Sequence, residues 1–244
     1  MKEPLQLILP MGGAGTRFFN NGFDCPKPMI QLHGKPFFYW ATQSIYDRVP
    51  VGGLTFVIQQ EHQCRFGLGD AIRSYYPHAR IVELPQVLPG AVLTCLKGVE
   101  GLPDNAPVLF NDCDHYFRSQ ALKEFLESGA EADGALLTFT AHEPQFSYVE
   151  LDDRDNVVRT VEKQVISDKA ICGAYYFGSK SLFCRYAEQY LQECTYKEFF
   201  LSGVYNPMAR DHLQIKALPV DLHIPFGTPA EYQAAGLMGE EFTL

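Results

Sequence analysis

Residues 5–18 read Leu5-Gln6-Leu7-Ile8-Leu9-Pro10-Met11-Gly12-Gly13-Ala14-Gly15-Thr16-Arg17-Phe18, and Pro26-Lys27-Pro28 follows shortly after. The apolar run Leu5–Leu9 has the character of a buried strand that delivers the chain into a glycine cluster. Glycine has no Cβ, so successive backbone N–H groups there can approach an anion closely. Arg17 adds a fixed fork of donors and Lys27 a mobile point charge. A glycine turn with two cations on one loop suits a polyphosphate. A P-loop would need Gly-Lys-Ser/Thr after the turn, and Gly15 is followed by Thr16-Arg17. A dinucleotide fingerprint would need a third glycine where Phe18 stands and a helix opening on the turn. Asn20-Asn21-Gly22 and two prolines predict that no helix starts there. An ordinary glycine turn after a first strand would show the same glycines; Arg17 and Pro26-Lys27-Pro28 favour the phosphate loop.

Working outward, alternating runs fix the fold class. Leu54–Ile58, Arg80–Leu84, Pro107–Phe110 and Gly134–Thr140 read as strands. Glu61–Tyr75, Gly90–Gly98 and Gln120–Ser128 read as helices. This βαβα order predicts a mixed, mainly parallel sheet flanked by helices. Ligands of such sheets sit beyond the carboxyl ends of the strands, where both the 10–17 loop and the acids at 112–114 fall. After residue 140 the pattern changes. Val149–Leu151 and Val157–Val161 flank Asp152-Asp153-Arg154-Asp155-Asn156 as a hairpin. Ala170–Phe177 and Leu213–Val220 are strands and Ser181–Glu193 a helix. No linker interrupts the chain, so residues 1–244 are expected to form one α/β domain.

The 244 residues carry 29 acids against 20 Lys and Arg, a net charge of −9. That excludes a general nucleic-acid surface, which needs a basic stripe, and leaves room for a local basic pocket. The seven cysteines are odd in number and form no C-x-x-C, which reads as free thiols in a reducing cytoplasm. No signal segment and no apolar run of membrane-spanning length is visible. The histidines at 33, 62, 78, 142 and 212 show no metal spacing.

Asp112-Cys113-Asp114 closes an apolar strand. Two carboxylates beside a triphosphate loop offer hard oxygens to Mg²⁺, with Mn²⁺ able to substitute; solvated loop acids are the alternative.

The N-terminal motifs, Gly-x-Gly-x-Arg and then Pro-Lys, resemble those of the nucleotidyltransferases that make nucleotide sugars, such as the glucose-1-phosphate thymidylyltransferases. The resemblance implies a single Rossmann-like domain, related to GT-A folds. Its nucleotide-binding half would cover about 1–140 and its acceptor-binding half about 141–244. It implies that Met11, Gly12, Gly13, Gly15 and Thr16 hold the nucleotide with Arg17 and Lys27, and that Gln86 and Gly90 read the base. Asp114, followed by His115-Tyr116-Phe117, fits the family's metal aspartate better than Asp112. Glu162-Lys163 matches the family's pair, with Glu162 on the acceptor and Lys163 on the attacking phosphate. Gly173 and Tyr175 match its Gly-x-Tyr strand.

Two positions depart from the family pattern. Pro225 stands where a late metal aspartate precedes Phe226-Gly227-Thr228, leaving Asp221 or His223 as candidate substitutes. Ser147 replaces a glycine of the acceptor site, which puts the identity of the acceptor in question. The aromatic segment Tyr196–Asn206 reads as an acceptor cap, a dimer contact or plain core.

The activity expected is NTP plus a phosphorylated small-molecule acceptor, foremost a sugar 1-phosphate, giving a nucleotide sugar and pyrophosphate. No nucleic-acid or membrane partner is expected, and homo-oligomerisation is left open. Three rivals stand beside it: a cytidylyltransferase for a non-sugar phosphate such as phosphocholine, a glycosyltransferase using Asp112-x-Asp114, and a non-catalytic nucleotide sensor.

Overall fold

The computed structural model describes residues 3–46, 48–128 and 132–242. Met1 and Lys2, part of the terminus read above as lacking a signal segment, lie outside that range. The first strand, Gln6–Met11, lies at the centre of the sheet. It pairs in parallel with Gly53–Gln59 on one side and Val108–Asn111 on the other, and Arg80–Leu84 extends the parallel set. Leu7 and Leu9 pack into the cluster holding Phe37, Trp40 and Phe56, whereas Ile8 packs into the cluster holding Val92, Phe110 and Phe183. Alternate residues therefore face two buried layers, which is why the run is apolar throughout.

Strand Lys169–Phe177 runs antiparallel to Val108–Asn111 on one side and to Gly134–Thr140 on the other. Ile215–Pro219 then pairs in parallel with Gly134–Thr140. The hairpin Ser147–Leu151/Val157–Glu162 joins the start of Lys169–Phe177 through Ala170 and Tyr148. The expected mixed, mainly parallel sheet is present, and the reversed strand in its middle carries the hairpin to the cleft.

Ser119 and Ser179 cap the helices Gln120–Glu127 and Lys180–Glu193, each accepting from an N–H three residues on at 3.1 Å. The span expected as one helix over 61–75 is two, Gln60–Phe66 and Leu68–Tyr75, broken at Gly67 with φ 65°.

A short helix, Thr16–Phe19, does open on the glycine turn, contrary to the sequence expectation. Gly15 takes φ 63° at its start, a conformation glycine adopts without strain. Asn21, whose amide donates to the Arg17 carbonyl at 2.8 Å, follows its end. Helix Phe37–Gln43 was not anticipated: every one of its residues is buried, so it has no amphipathic period to read. Nor was the antiparallel ribbon of His115–Arg118 and Leu222–Pro225.

Candidate active site

A cleft of about 620 Å³ opens where the carboxyl end of Val108–Asn111, the hairpin and the ribbon converge. It brings together Arg17, Asp112, Asp114, Ser147, Glu162, Lys163, Gly173 and Tyr175, residues drawn from both halves of the chain. Arg17 stands exposed at the cleft from the one-turn helix. Gly13 is exposed, and a Cβ built on it would meet nothing within 4 Å, so its backbone is open to a ligand. Thr16 is exposed beside it, and Met11 and Gly12 are buried. Gly12 abuts Leu84 and Thr94.

Lys27 and Asp114 form an ion pair and hydrogen bond. Burial alone would push the Lys27 ammonium down; the Asp114 carboxylate beside it more than offsets this and holds it up. Burial would likewise raise Asp114, but Lys27 draws it below the ordinary carboxylate range. Asp112 fares differently. Burial first, and then the neighbouring Asp114 charge, push its carboxyl up to about 7. Its backbone N–H donates to the Gly173 carbonyl at 2.9 Å, and a Cβ on Gly173 would lie 2.8 Å from its Oδ2.

The hairpin register sets Ser147 opposite Glu162. Ser147 Oγ donates to Glu162 Oε1 at 2.5 Å, and Ser202 Oγ donates to the same oxygen. Ser147 and Ser202 thus fix the Glu162 carboxylate at the cleft wall. Lys163 follows with φ 55°, its N–H donating to the Phe146 carbonyl at 3.0 Å and its ammonium 5.1 Å from the Phe200 ring centroid.

Three other expected site residues do not line the cleft. Asp221 does not reach the cleft: its carboxylate accepts from the Gln120 N–H at 2.7 Å, at the start of the neighbouring helix. The ribbon register explains this, since it places Pro225 against His115 and runs Asp221 to the far end beyond the Leu222–Arg118 pair. Gln86 is exposed on the loop that leads into helix Ala91–Val99 and is not among the residues that line the cleft. Gly90, with φ 121°, is occupied on its Cβ side by the backbone of Phe199, 2.4 Å from where that atom would sit; Ala91 after it lines the cleft. The 196–206 segment divides: Glu198, Phe200 and Leu201 line the cleft, while Tyr205 is core, its hydroxyl donating to the Tyr176 carbonyl at 2.8 Å.

Sequence reasoning missed His115, Gln145 and Glu231 as cleft residues, their only signal being proximity to Asp114, Ser147 and Gly227-Thr228; Glu198 falls within the segment read as an acceptor cap.

Five carboxylates line the cleft (Asp112, Asp114, Glu162, Glu198 and Glu231) against the cations Arg17 and Lys163, with Lys27 paired to Asp114. A polyphosphate entering this acidic cleft needs a further cation. Among the described residues no three His, Cys, Asp or Glu side chains converge as a metal cage. Two carboxylates at one strand end fit Mg²⁺, which takes one or two and fills its shell with water and substrate phosphates.

The nucleotidyl transferase family matches the chain over residues 6–221. The chain belongs to that family. The nucleotidyltransferase fold is shared with a nucleoside-diphosphate-sugar pyrophosphorylase of Vibrio cholerae, at 22% identity, TM-score 0.82, and coverage of 95% of this chain and 99% of the other. The inositol-1-phosphate CTP transferase of T. maritima matches at 16% identity and TM-score 0.75, over 99% and 98% of the two chains. HddC of Yersinia pseudotuberculosis matches at 20% identity and TM-score 0.68, over 98% and 100%. None of the curated proteins searched matches the sequence. No described helix of this nucleotidyltransferase is long and apolar enough to cross a membrane.

Proposed function

We propose that this nucleotidyltransferase joins an NTP to the phosphate of a hydroxylated acceptor, foremost a sugar 1-phosphate, in the cytoplasm and with Mg²⁺. An acceptor phosphate oxygen forms a bond to the α-phosphorus, the α–β bridging bond breaks, and pyrophosphate leaves with the bridging oxygen. The observation that carries this reading is the convergence in one cleft of Arg17, beside the open glycine loop, with Lys163 and Glu162 around the acids of 112–114.

Gly13 and Gly15 offer backbone N–H groups to the β- and γ-phosphates, and Arg17 clamps them. Lys27, once parted from Asp114, offsets charge on the α-phosphate and the leaving pyrophosphate. Lys163 draws in the acceptor phosphate, and Glu162, fixed by Ser147 and Ser202, accepts from an acceptor hydroxyl. Asp114 and Asp112 are the residues that would hold Mg²⁺, which supplies charge neutralisation when bound. Catalysis is then positioning and electrostatics, without a covalent enzyme intermediate.

A second reading, an alcohol phosphate as acceptor, is favoured by the Ser147–Glu162 hydrogen bond and by the likeness to an inositol-1-phosphate CTP transferase. The test is pyrophosphate release over four NTPs and a panel of sugar, inositol and choline phosphates, with and without chelator. Release with one NTP–acceptor pair, abolished by chelator and restored by Mg²⁺, is expected. The Lys163→Ala variant should raise the acceptor KM and leave the NTP KM unchanged. Silence across the panel would point to a sensor, and hydrolysis or transfer from a nucleotide sugar to a glycosyltransferase.

A further inference from the structure

The ribbon strand Leu222–Pro225 sets His223 into the cleft wall, beside His115 and Asp114. Both ring nitrogens of His223 are buried and have no hydrogen-bond partner. Its neighbour His115, ring centroid 5.5 Å away, has one nitrogen 2.9 Å from Asn111 Oδ1. Each orphaned nitrogen forfeits the hydrogen bond that water gives it in the unfolded chain. Native interiors rarely tolerate such groups, and two on one ring at the cleft wall call for a partner that arrives from the cleft.

A neutral imidazole carries one donor and one acceptor, which is the complement of a hydroxyl. The position points to the acceptor. The His223 ring lies 4.2 Å from the Phe139 ring, and Phe139 lies 5.0 Å from Phe146, next to Ser147 and Lys163. A histidine turns readily about its last torsion, which is broad, so a small rotation presents a nitrogen to the cleft.

We infer that His223 is a specificity-determining residue: on acceptor binding its imidazole hydrogen-bonds a hydroxyl of a polyol or sugar phosphate. This rests on the nucleotidyltransferase reading above and narrows its acceptor class. Choline phosphate carries no hydroxyl and leaves the imidazole unsatisfied.

The experiment compares wild type with His223→Phe, which keeps a ring against Phe139 and removes both orphans, and with His223→Asn, which keeps a donor and an acceptor. Thermal unfolding is read without ligand; binding of sugar, inositol and choline phosphates is read by calorimetry, alongside NTP and acceptor KM. For His223→Phe we expect an undiminished Tm, an unchanged NTP KM, and about 10- to 100-fold weaker binding of the preferred polyol phosphate. His223→Asn should recover part of that loss, and discrimination against choline phosphate should collapse in His223→Phe. Unchanged polyol phosphate affinity in His223→Phe, or a loss that tracks a lowered Tm in both variants, overturns the inference. Turnover by wild type with choline phosphate and no polyol phosphate overturns it while the nucleotidyltransferase reading stands. Absence of pyrophosphate release with every pair overturns that reading, and calorimetry still reports on His223.

Discussion

The ammonium of Lys27 reaches the Oδ2 of Asp114 across 87 positions of sequence. In the proposed reaction these two groups serve opposite partners, a phosphate for Lys27 and a cation for Asp114. Without ligand they neutralise each other, so the arriving nucleotide and its cation together replace one internal pair with two external ones.

Lys27→Met and Asp114→Asn should each lower kcat/KM by roughly 10²–10⁴-fold, the scale of losing one charge-stabilising group. Each should also lower stability, because a recessed charge loses its partner. The double variant should be more stable than the sum of the singles implies, with a coupling of about 1–2 kcal/mol in urea unfolding. Additive energies would show that the pair contributes nothing in the ligand-free state.

Asp112 gives a pH signature. Burial and the Asp114 charge lift its carboxyl from near 4 to about 7, so between those values the folded chain holds a proton that the unfolded chain has released. Stability conferred by that proton is present below about pH 4 and is lost as pH rises through about 7. In chelator, Asp112→Asn should therefore match wild type in Tm near pH 3 and exceed it increasingly as pH rises to about 8. Equal Tm values at both pH values would contradict the assigned environment.

Two glycines of the proposed nucleotide half should part in behaviour. Gly13→Ala places a methyl in open space, so unfolding should be unaffected while NTP KM rises. Gly90→Ala drives a Cβ into the Phe199 backbone from a φ of 121° and should cost more than about 2 kcal/mol of stability. Chemical denaturation of both variants beside NTP titration separates them. A destabilised Gly13→Ala would mean that the loop is packed rather than open.

These contrasts also mark what sequence could convey. The phosphate loop was legible because glycines, Arg17 and Lys27 lie within a few turns of chain and their chemistry is local. The parallel sheet was legible because a strand buried on both faces must be apolar along its length. Asp221 was misplaced because the register of the Leu222–Pro225 strand is decided by pairing with His115–Arg118, a contact about a hundred residues away in sequence. Helix Phe37–Gln43 was hidden because complete burial erases its period. The one-turn helix at Thr16 escapes the sequence because the breakers downstream do not forbid its start and only cut it short. The crossing of Phe199 over Gly90 was not legible, because nothing in the neighbourhood of Gly90 announces it. Ser147 stood out by type alone, and its hydrogen bond to Glu162 became visible only once the hairpin register was known.

The reversed strand Lys169–Phe177 bears on how this chain must be made. Gly134–Thr140, buried along its first five residues, has two neighbours in the sheet among the described residues, Lys169–Phe177 and Ile215–Pro219, and both are synthesised after it. At roughly 5–20 residues per second, the ribosome leaves that apolar segment with both edges bare for about 2–7 s before its first partner is complete. Nascent chains arrested near residue 185, with Gly134–Thr140 outside the ribosome and Lys169–Phe177 still within it, should accordingly engage a holdase chaperone, whereas chains arrested near residue 240 should let it go; equal capture of the two lengths on isolated ribosomes would refute this. The strand order that gathers the cleft thus makes translation itself the moment at which this enzyme is most exposed to aggregation.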